Sequence, residues 1–121
     1  MSFSNDDLAR LRAAEEVDIE TQPPEGPPHR TTIWIMVDGD DAFVRSVRGE
    51  RGRWYREATA NPAVAIHVDG RRLAATAIPA TDPESIERVN RALGEKYEGI
   101  EGYAPMLEPE IFDTTLRLEP A

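Results

Sequence analysis

The sequence predicts a mainly β fold, a small barrel of six antiparallel strands with two or three helices at its periphery. Two observations carry this. Asp38-Gly39 and Asp69-Gly70 each separate runs of β-branched and apolar residues, the pattern of a tight hairpin. Val17, Ile19 and Thr21 alternate with Asp18 and Glu20, as in a strand with one buried face. A meander of short, hairpin-joined strands most often closes on itself, which removes the unpaired edges that invite aggregation.

Ser4 and Asp7 have capping-box spacing, with Phe3 and Leu8 at the staple positions, so a helix is expected near residues 3–14. The strand at 17–21 follows. "QPPEGPPHR" holds four prolines, which fix φ and remove backbone donors, so an extended loop is expected there. "TTIWIMV" (31–37) reads as one strand buried on both faces. Asp38-Gly39 then gives a type I′ turn, and "AFVRSV" returns as the partner strand. "WYREATANP" predicts a short helix stopped by Asn61-Pro62. "AVAIHV", Asp69-Gly70 and "RRLAATAI" form a second hairpin. Thr81-Asp82-Pro83 opens the longest helix, whose apolar stripe is Ile86, Val89, Leu93 and Tyr97. "GIEGYAP" is a loop and "TTLRLE" the closing strand.

The length of 121 residues suits one domain (1–121), with an N-terminal helical segment at 1–14 and the barrel with its helices at 17–119. The chain has no cysteine, which excludes disulfides, thiolate nucleophiles and cysteine-ligated metals. No apolar run approaches the roughly 20 residues of a membrane span, and the N-terminus lacks the pattern of a signal peptide. A cytoplasmic protein is expected, without a membrane partner. The net charge of −9 argues against nucleic-acid binding, which depends on neutralising many phosphates.

Within this acidic chain, Arg45, Arg48, Arg51, Arg53 and Arg56 crowd into residues 45–56, with Glu50 the one acid among them. Ser46, Gly49 and Gly52 punctuate the stretch, and the helix after it would aim its N-terminal N–H groups at an anion near Gly52–Trp54. The residues alone support two readings: a phosphate site, or a solvated loop whose arginines pair with surplus carboxylates. Trp54 and Tyr55 suit either a wall against a planar ring or a core anchor, with packing favoured for Tyr55. Trp34, alternating with Met36, is expected in the core or in an interface between subunits. His29 and His67 have no carboxylate at a recognisable ligand spacing, so no metal site is expected. No nucleophilic triad and no paired catalytic carboxylates stand out.

The order of these strings, "HRTTIWIMVDGDDAFVRSV", "RGRWYREATANPAVAIHVDGRRLAATAI" and "TTLRLEP", resembles the split β-barrel superfamily of pyridoxamine-phosphate-oxidase-like proteins. The similarity covers roughly residues 17–119. It is nearest to the deazaflavin-dependent nitroreductase branch and to a family of unknown function beside it. Trp54-Tyr55 followed by Ala60-Asn61-Pro62, and Arg30-Thr31-Thr32, are the motifs that carry it. The chain departs from that branch in its acidic proline-rich loop, in a shorter loop from Ser46 to Trp54, and in Ile33 where a proline usually follows the two threonines.

The resemblance implies a six-stranded split β-barrel and a homodimer holding FMN or a deazaflavin coenzyme, with hydride transfer to a small molecule. It places Arg30, Thr31, Thr32, Arg45, Ser46, Arg48, Arg51, Arg53, Trp54 and Tyr55 around the cofactor, with Tyr103 on the substrate pocket; Tyr97, on the apolar stripe of its helix, is expected in packing. A carrier or sensor that binds flavin without turnover, and an interaction module that has lost its cofactor, remain the alternatives.

Overall fold

The computed structural model describes residues 2–121; Met1, where the expected N-terminal segment begins, lies outside the described residues. Helix α1 (Asn5–Ala13) is followed by strands β1 (Val17–Thr21), β2 (His29–Ile33), β3 (Met36–Asp38) and β4 (Asp41–Val44). Helix α2 (Arg53–Ala60), β5 (Ala63–Val68), β6 (Arg71–Pro79), α3 (Pro83–Tyr97) and β7 (Leu116–Pro120) complete the order. The strands form one antiparallel sheet, β2-β1-β5-β6-β7-β4-β3. The fold is the expected mainly β split barrel, with seven strands instead of six.

The extra strand arises where "TTIWIMV" breaks. Its two halves belong to β2 and β3, the opposite edges of the sheet. The chain turns that corner at Trp34-Ile35, where a continuous strand would have paired its backbone with neighbours. Side chains from α3 take over that task. Ile35 N–H donates to Tyr97 Oη at 3.2 Å, and Lys96 Nζ donates to Ile35 O at 2.9 Å. β2 is consequently an edge strand with Arg30 and Thr32 exposed, not the doubly buried strand that composition suggested.

The two hairpin turns differ. At Asp69-Gly70 both central residues have positive φ (50° and 74°), as type I′ requires, and Val68 pairs with Arg71. At the first hairpin Asp38 pairs with Asp41, so the turn is centred on Gly39-Asp40, one residue later than expected. Only Gly39 there has positive φ (60°), which is the type II′ pattern.

Helix ends follow their sequence signals. Ser4 Oγ accepts the Asp7 N–H at 3.1 Å, with Phe3 and Leu8 buried beside it. Asp82 accepts the Ser85 N–H at 3.0 Å with Pro83 in the first turn. α2 stops at Asn61, whose Oδ1 accepts the Ala63 N–H across Pro62. Two 3-10 turns, Ala104–Leu107 and Pro109–Thr114, each begin with a proline in the first turn. Thr114 and Thr115, expected in the closing strand, precede β7, because their hydroxyls bind Ser46 N–H and Arg45 Nε.

Leu11, Ile19, Val44, Ile66 and Leu118 fill the inside of the sheet beneath α1 and α2. A second cluster, with Met36, Phe43, Val89, Leu93 and Tyr97, seats α3 and the 3-10 turns on the other face of β3 and β4. Among the described residues no helix is long and apolar enough to cross a membrane.

Candidate functional site

The seam between the two sheet edges opens into a cavity of about 570 Å³. β2 contributes Thr31, Thr32 and Ile33 to its wall, and the crossover contributes Trp34. The segment after β4 supplies Arg45, Ser46, Val47 and Arg48, and the start of α2 supplies Gly52, Arg53 and Trp54. Glu16, Gly102 and Met106 close the lining. Seven of the residues expected around a cofactor therefore border one space: Thr31, Thr32, Arg45, Ser46, Arg48, Arg53 and Trp54.

The geometry between Ser46 and Trp54 depends on a close backbone approach. Ser46 is buried, and its hydroxyl donates to Gly49 O at 2.9 Å, folding the chain into the 3-10 turn Gly49–Arg51. Gly52 then passes directly over Ser46: a Cβ on Gly52 would fall under 3.0 Å from Ser46 Oγ. That approach delivers the first turn of α2 to the cavity. Gly52 is its N-cap and no side chain caps it, so the N-terminal N–H groups of α2 have no side-chain acceptor. Arg48 and Arg53 stand exposed on either side, and neither forms an ion pair among the described residues. Two free guanidinium groups and the positive end of a helix converge on one opening, an arrangement that favours an anion.

Arg45 differs from the other arginines. It is 2% exposed and lies 4.6 Å from the Phe112 ring centroid. Nε donates to Thr115 Oγ1 (2.8 Å), and Nη1 donates to Asn90 Oδ1 (2.8 Å) and Met106 O (3.0 Å). All three acceptors are neutral. Burial pulls the guanidinium down to about 10, so it stays charged at neutral pH. Its Nη2 has no partner, and neither has the buried Thr31 Oγ1.

Trp34 stacks on Tyr97 with ring centroids 4.0 Å apart and planes within 1°. Tyr97 is fully buried; its hydroxyl donates to Glu15 O at 2.6 Å, and burial pushes it up to about 12. Lys96 lies beside this stack. Its Nζ bonds only to the carbonyls of Leu11 and Ile35, and burial pulls it down to about 8.

Arg30, Arg51, Tyr55 and Tyr103 lie outside the cavity lining. Arg30 pairs with Asp18 at 3.1 Å on the outer face of the sheet, where Thr32 Oγ1 also donates to Asp18 at 2.8 Å. Arg51 is exposed on the 3-10 turn. Tyr55 packs against the core and meets Trp54 edge-on. Tyr103 packs against the second cluster, its hydroxyl close to Gly94 on α3. Trp54 both joins the core and borders the cavity. Composition gave no signal for Gly102 and Met106, and the strand pattern hid Trp34 by assigning it to a continuous run.

Neither histidine lines the cavity. His67 Nε2 sits 2.7 Å from Glu20, which Arg72 also holds; hydrogen bonds from Arg72 and then His67 bring the Glu20 carboxyl down to about 2. His29 Nδ1 lies 2.9 Å from Glu57. Burial opposes ionisation of Glu57, but hydrogen bonds from Thr21 and His29 hold it below the usual carboxylate range. Among the described residues no cluster of three His, Cys, Asp or Glu side chains could hold a metal ion.

A seven-stranded split barrel is the fold of pyridoxamine-phosphate-oxidase-like proteins. Solved structures share it. The chain is similar to a putative pyridoxamine 5′-phosphate oxidase from Listeria innocua, with TM-score 0.69, 16% identity, and coverage of 96% of this chain and 91% of that one. It is similar to the haem storage protein HutZ from Vibrio cholerae, with TM-score 0.67, 17% identity, and coverage of 100% and 92%. It is similar to an F420 reductase, with TM-score 0.60, 22% identity, and coverage of 93% and 91%. No curated protein matches the sequence. Residues 7–118 match the family described as uncharacterised proteins conserved in bacteria, DUF2255, and the chain belongs to that family.

Proposed function

We propose that this protein binds a phosphorylated flavin-type cofactor, FMN or a deazaflavin, in the seam cavity and works as a small oxidoreductase. The observation that carries this reading is the convergence of unpaired Arg48 and Arg53 with the uncapped start of α2 on a cavity walled by Thr31 and Trp34. The likeness in fold to an F420 reductase and to a putative pyridoxamine 5′-phosphate oxidase supports it. The residues suit such a group: a charged end for phosphate and an aromatic wall.

Bound there, the cofactor supplies hydride transfer, and the protein needs no nucleophile of its own. Arg48, Arg53 and the α2 N-terminus hold the phosphate. Trp34 and Trp54 border the apolar part of the site and keep water from it. Glu16 is the one carboxylate in the lining and stands at the exposed rim. The reading includes a homodimer; Val47, 54% exposed at the cavity rim, supports a surface covered by a second copy. Neither His29 nor His67 reaches the cavity, so this chain offers no histidine to a haem there.

The test is the absorption spectrum of the purified protein, then titration with FMN, riboflavin and F420. FMN or F420 should bind at micromolar concentration, and Arg53→Ala should weaken FMN by roughly 10-fold while changing riboflavin little, since a hydrogen bond to a charged group contributes about 1.5–3 kcal/mol. Equal losses for both ligands would remove the phosphate role. Binding without reduction by nicotinamide would favour a carrier over an enzyme.

A further inference from the structure

A second opening lies against the seam cavity. It is a groove of about 600 Å³ between the proline-rich loop and α2. Gln22, Pro23 and Pro24 form one wall, and Arg53, Arg56 and Glu57 stand along the other. The loop wall is held in shape: the prolines fix their own φ, and Gln22 Nε2 donates to Pro23 O at 3.0 Å and to Gly26 O at 3.1 Å. The helix wall carries the charge. Arg53 and Arg56 are three residues apart on α2, so their side chains project from one face. Both are exposed, and neither forms an ion pair among the described residues. Glu57, the one carboxylate in the lining, is already bonded to Thr21 Oγ1 at 2.7 Å and to His29 Nδ1 at 2.9 Å. Arg53 also borders the seam cavity, so the two openings meet at this side chain.

We propose that the groove holds a second anionic group of the same ligand, attached through the phosphate and passing Arg53 on its way out of the seam cavity. This rests on that cavity holding a phosphorylated cofactor. Charge and continuity favour it. A ligand that ends at its phosphate uses Arg48 and Arg53 and leaves Arg56 idle, one helical turn further along the same wall. A phosphate esterified on both sides continues past Arg53, and a further negative charge then meets Arg56. Two exposed guanidinium groups are set there against one carboxylate that is already bonded. The prolines give the linking atoms a rigid apolar wall. The chemical class is therefore a phosphodiester or pyrophosphate that bears a further anion. FAD carries that anion as a second phosphate, and F420 carries it as the carboxylates beyond its phosphodiester. The loop whose prolines suggested only an extended connection becomes a binding wall.

The test compares FMN, FAD and F420 on the wild-type protein, Arg53→Ala and Arg56→Ala by fluorescence titration. At least one of the two longer ligands should bind the wild type more tightly than FMN does. Arg56→Ala should weaken that ligand by about 5-fold and FMN by less than about 2-fold, the size of one exposed charge contact. Arg53→Ala should weaken all three. A loss confined to FAD assigns the groove to a second phosphate, and one confined to F420 assigns it to a carboxylate tail. Arg56→Glu should enlarge the loss, and added salt should narrow the gap between wild type and Arg56→Ala. Arg56 lies on the surface, so its variants should melt with the wild type. FMN binding more tightly than both longer ligands, or Arg56→Ala binding them unchanged, would overturn the groove and leave the phosphate site at Arg48 and Arg53 standing. Equal losses for FMN and the longer ligand would overturn it too. If the wild type binds none of the three, the cofactor reading falls and the groove falls with it.

Discussion

Gly52→Ala is a sharp test of how the chain reaches the cavity. Gly52 has φ −62°, a conformation alanine adopts without strain, so propensity alone predicts a mild or even favourable change. Packing predicts the opposite. The new methyl would meet the hydroxyl of Ser46, which is buried and committed to Gly49 O. α2 is pushed outward, and Ser46 rotates and abandons its bond. Overpacking of this kind costs about 2 kcal/mol and a lost hydrogen bond about 1 kcal/mol, together about 3 kcal/mol. For a chain of this length that is a fall of roughly 12 °C in melting temperature. The assay is thermal and urea denaturation of Gly52→Ala, Ser46→Ala and the double variant. Ser46→Ala leaves only its Cβ, 3.6 Å from the added methyl, an ordinary contact. The double variant should thus be more stable than Gly52→Ala alone, a coupling of more than about 1 kcal/mol. Additive losses, or a Gly52→Ala protein within 0.5 kcal/mol of wild type, would refute the close approach as the reason for glycine.

Two further outcomes concern pH. Lys96 is held near 8 in the fold against 10.5 in the unfolded chain, so between those values the unfolded state binds more protons and stability rises with pH. The urea midpoint should climb from pH 8 toward 10, and Lys96→Met should flatten that climb; Tyr97, raised to about 12, adds the reverse trend only above its unfolded value of 10. Glu20 works at the acid end: held near 2 by Arg72 and His67, it contributes stability that is complete above 4.5 and lost as pH falls through 2. Arg72→Ala should shift the acid unfolding midpoint to higher pH, and an unchanged acid limb would show that this network across β1, β5 and β6 contributes nothing.

Local rules placed most elements. The caps at Ser4 and Asp82, the stop at Asn61-Pro62 and the turn at Asp69-Gly70 depend on neighbours within a few residues, and they stand as read. Apart from the first hairpin turn, which sits one residue later at Gly39-Asp40, what failed was long-range. Nothing near Trp34 says that its strand must break, because the groups that satisfy Ile35 come from Lys96 and Tyr97, on a helix late in the chain. The same holds for the site. Charge clustering drew attention to residues 45–56, but separating Arg45 from its neighbours required knowing that Asn90, Met106 and Thr115 would enclose it. Trp34, expected in the core or an interface, enters the cavity because it occupies the corner, not the strand.

The position of β7 has a kinetic consequence. It lies between β6 and β4, and without it the sheet falls into two ribbons, β2-β1-β5-β6 and β4-β3. Hairpins within each ribbon form from nearby residues, but joining them requires Leu116 to find Val44 and Leu118 to find both Ala42 and Ala77. Loop-closure entropy, not local propensity, then governs the rate, and both ribbons expose apolar faces until the join is made. A chain wired this way is most vulnerable to aggregation during its own synthesis, however stable the finished barrel becomes.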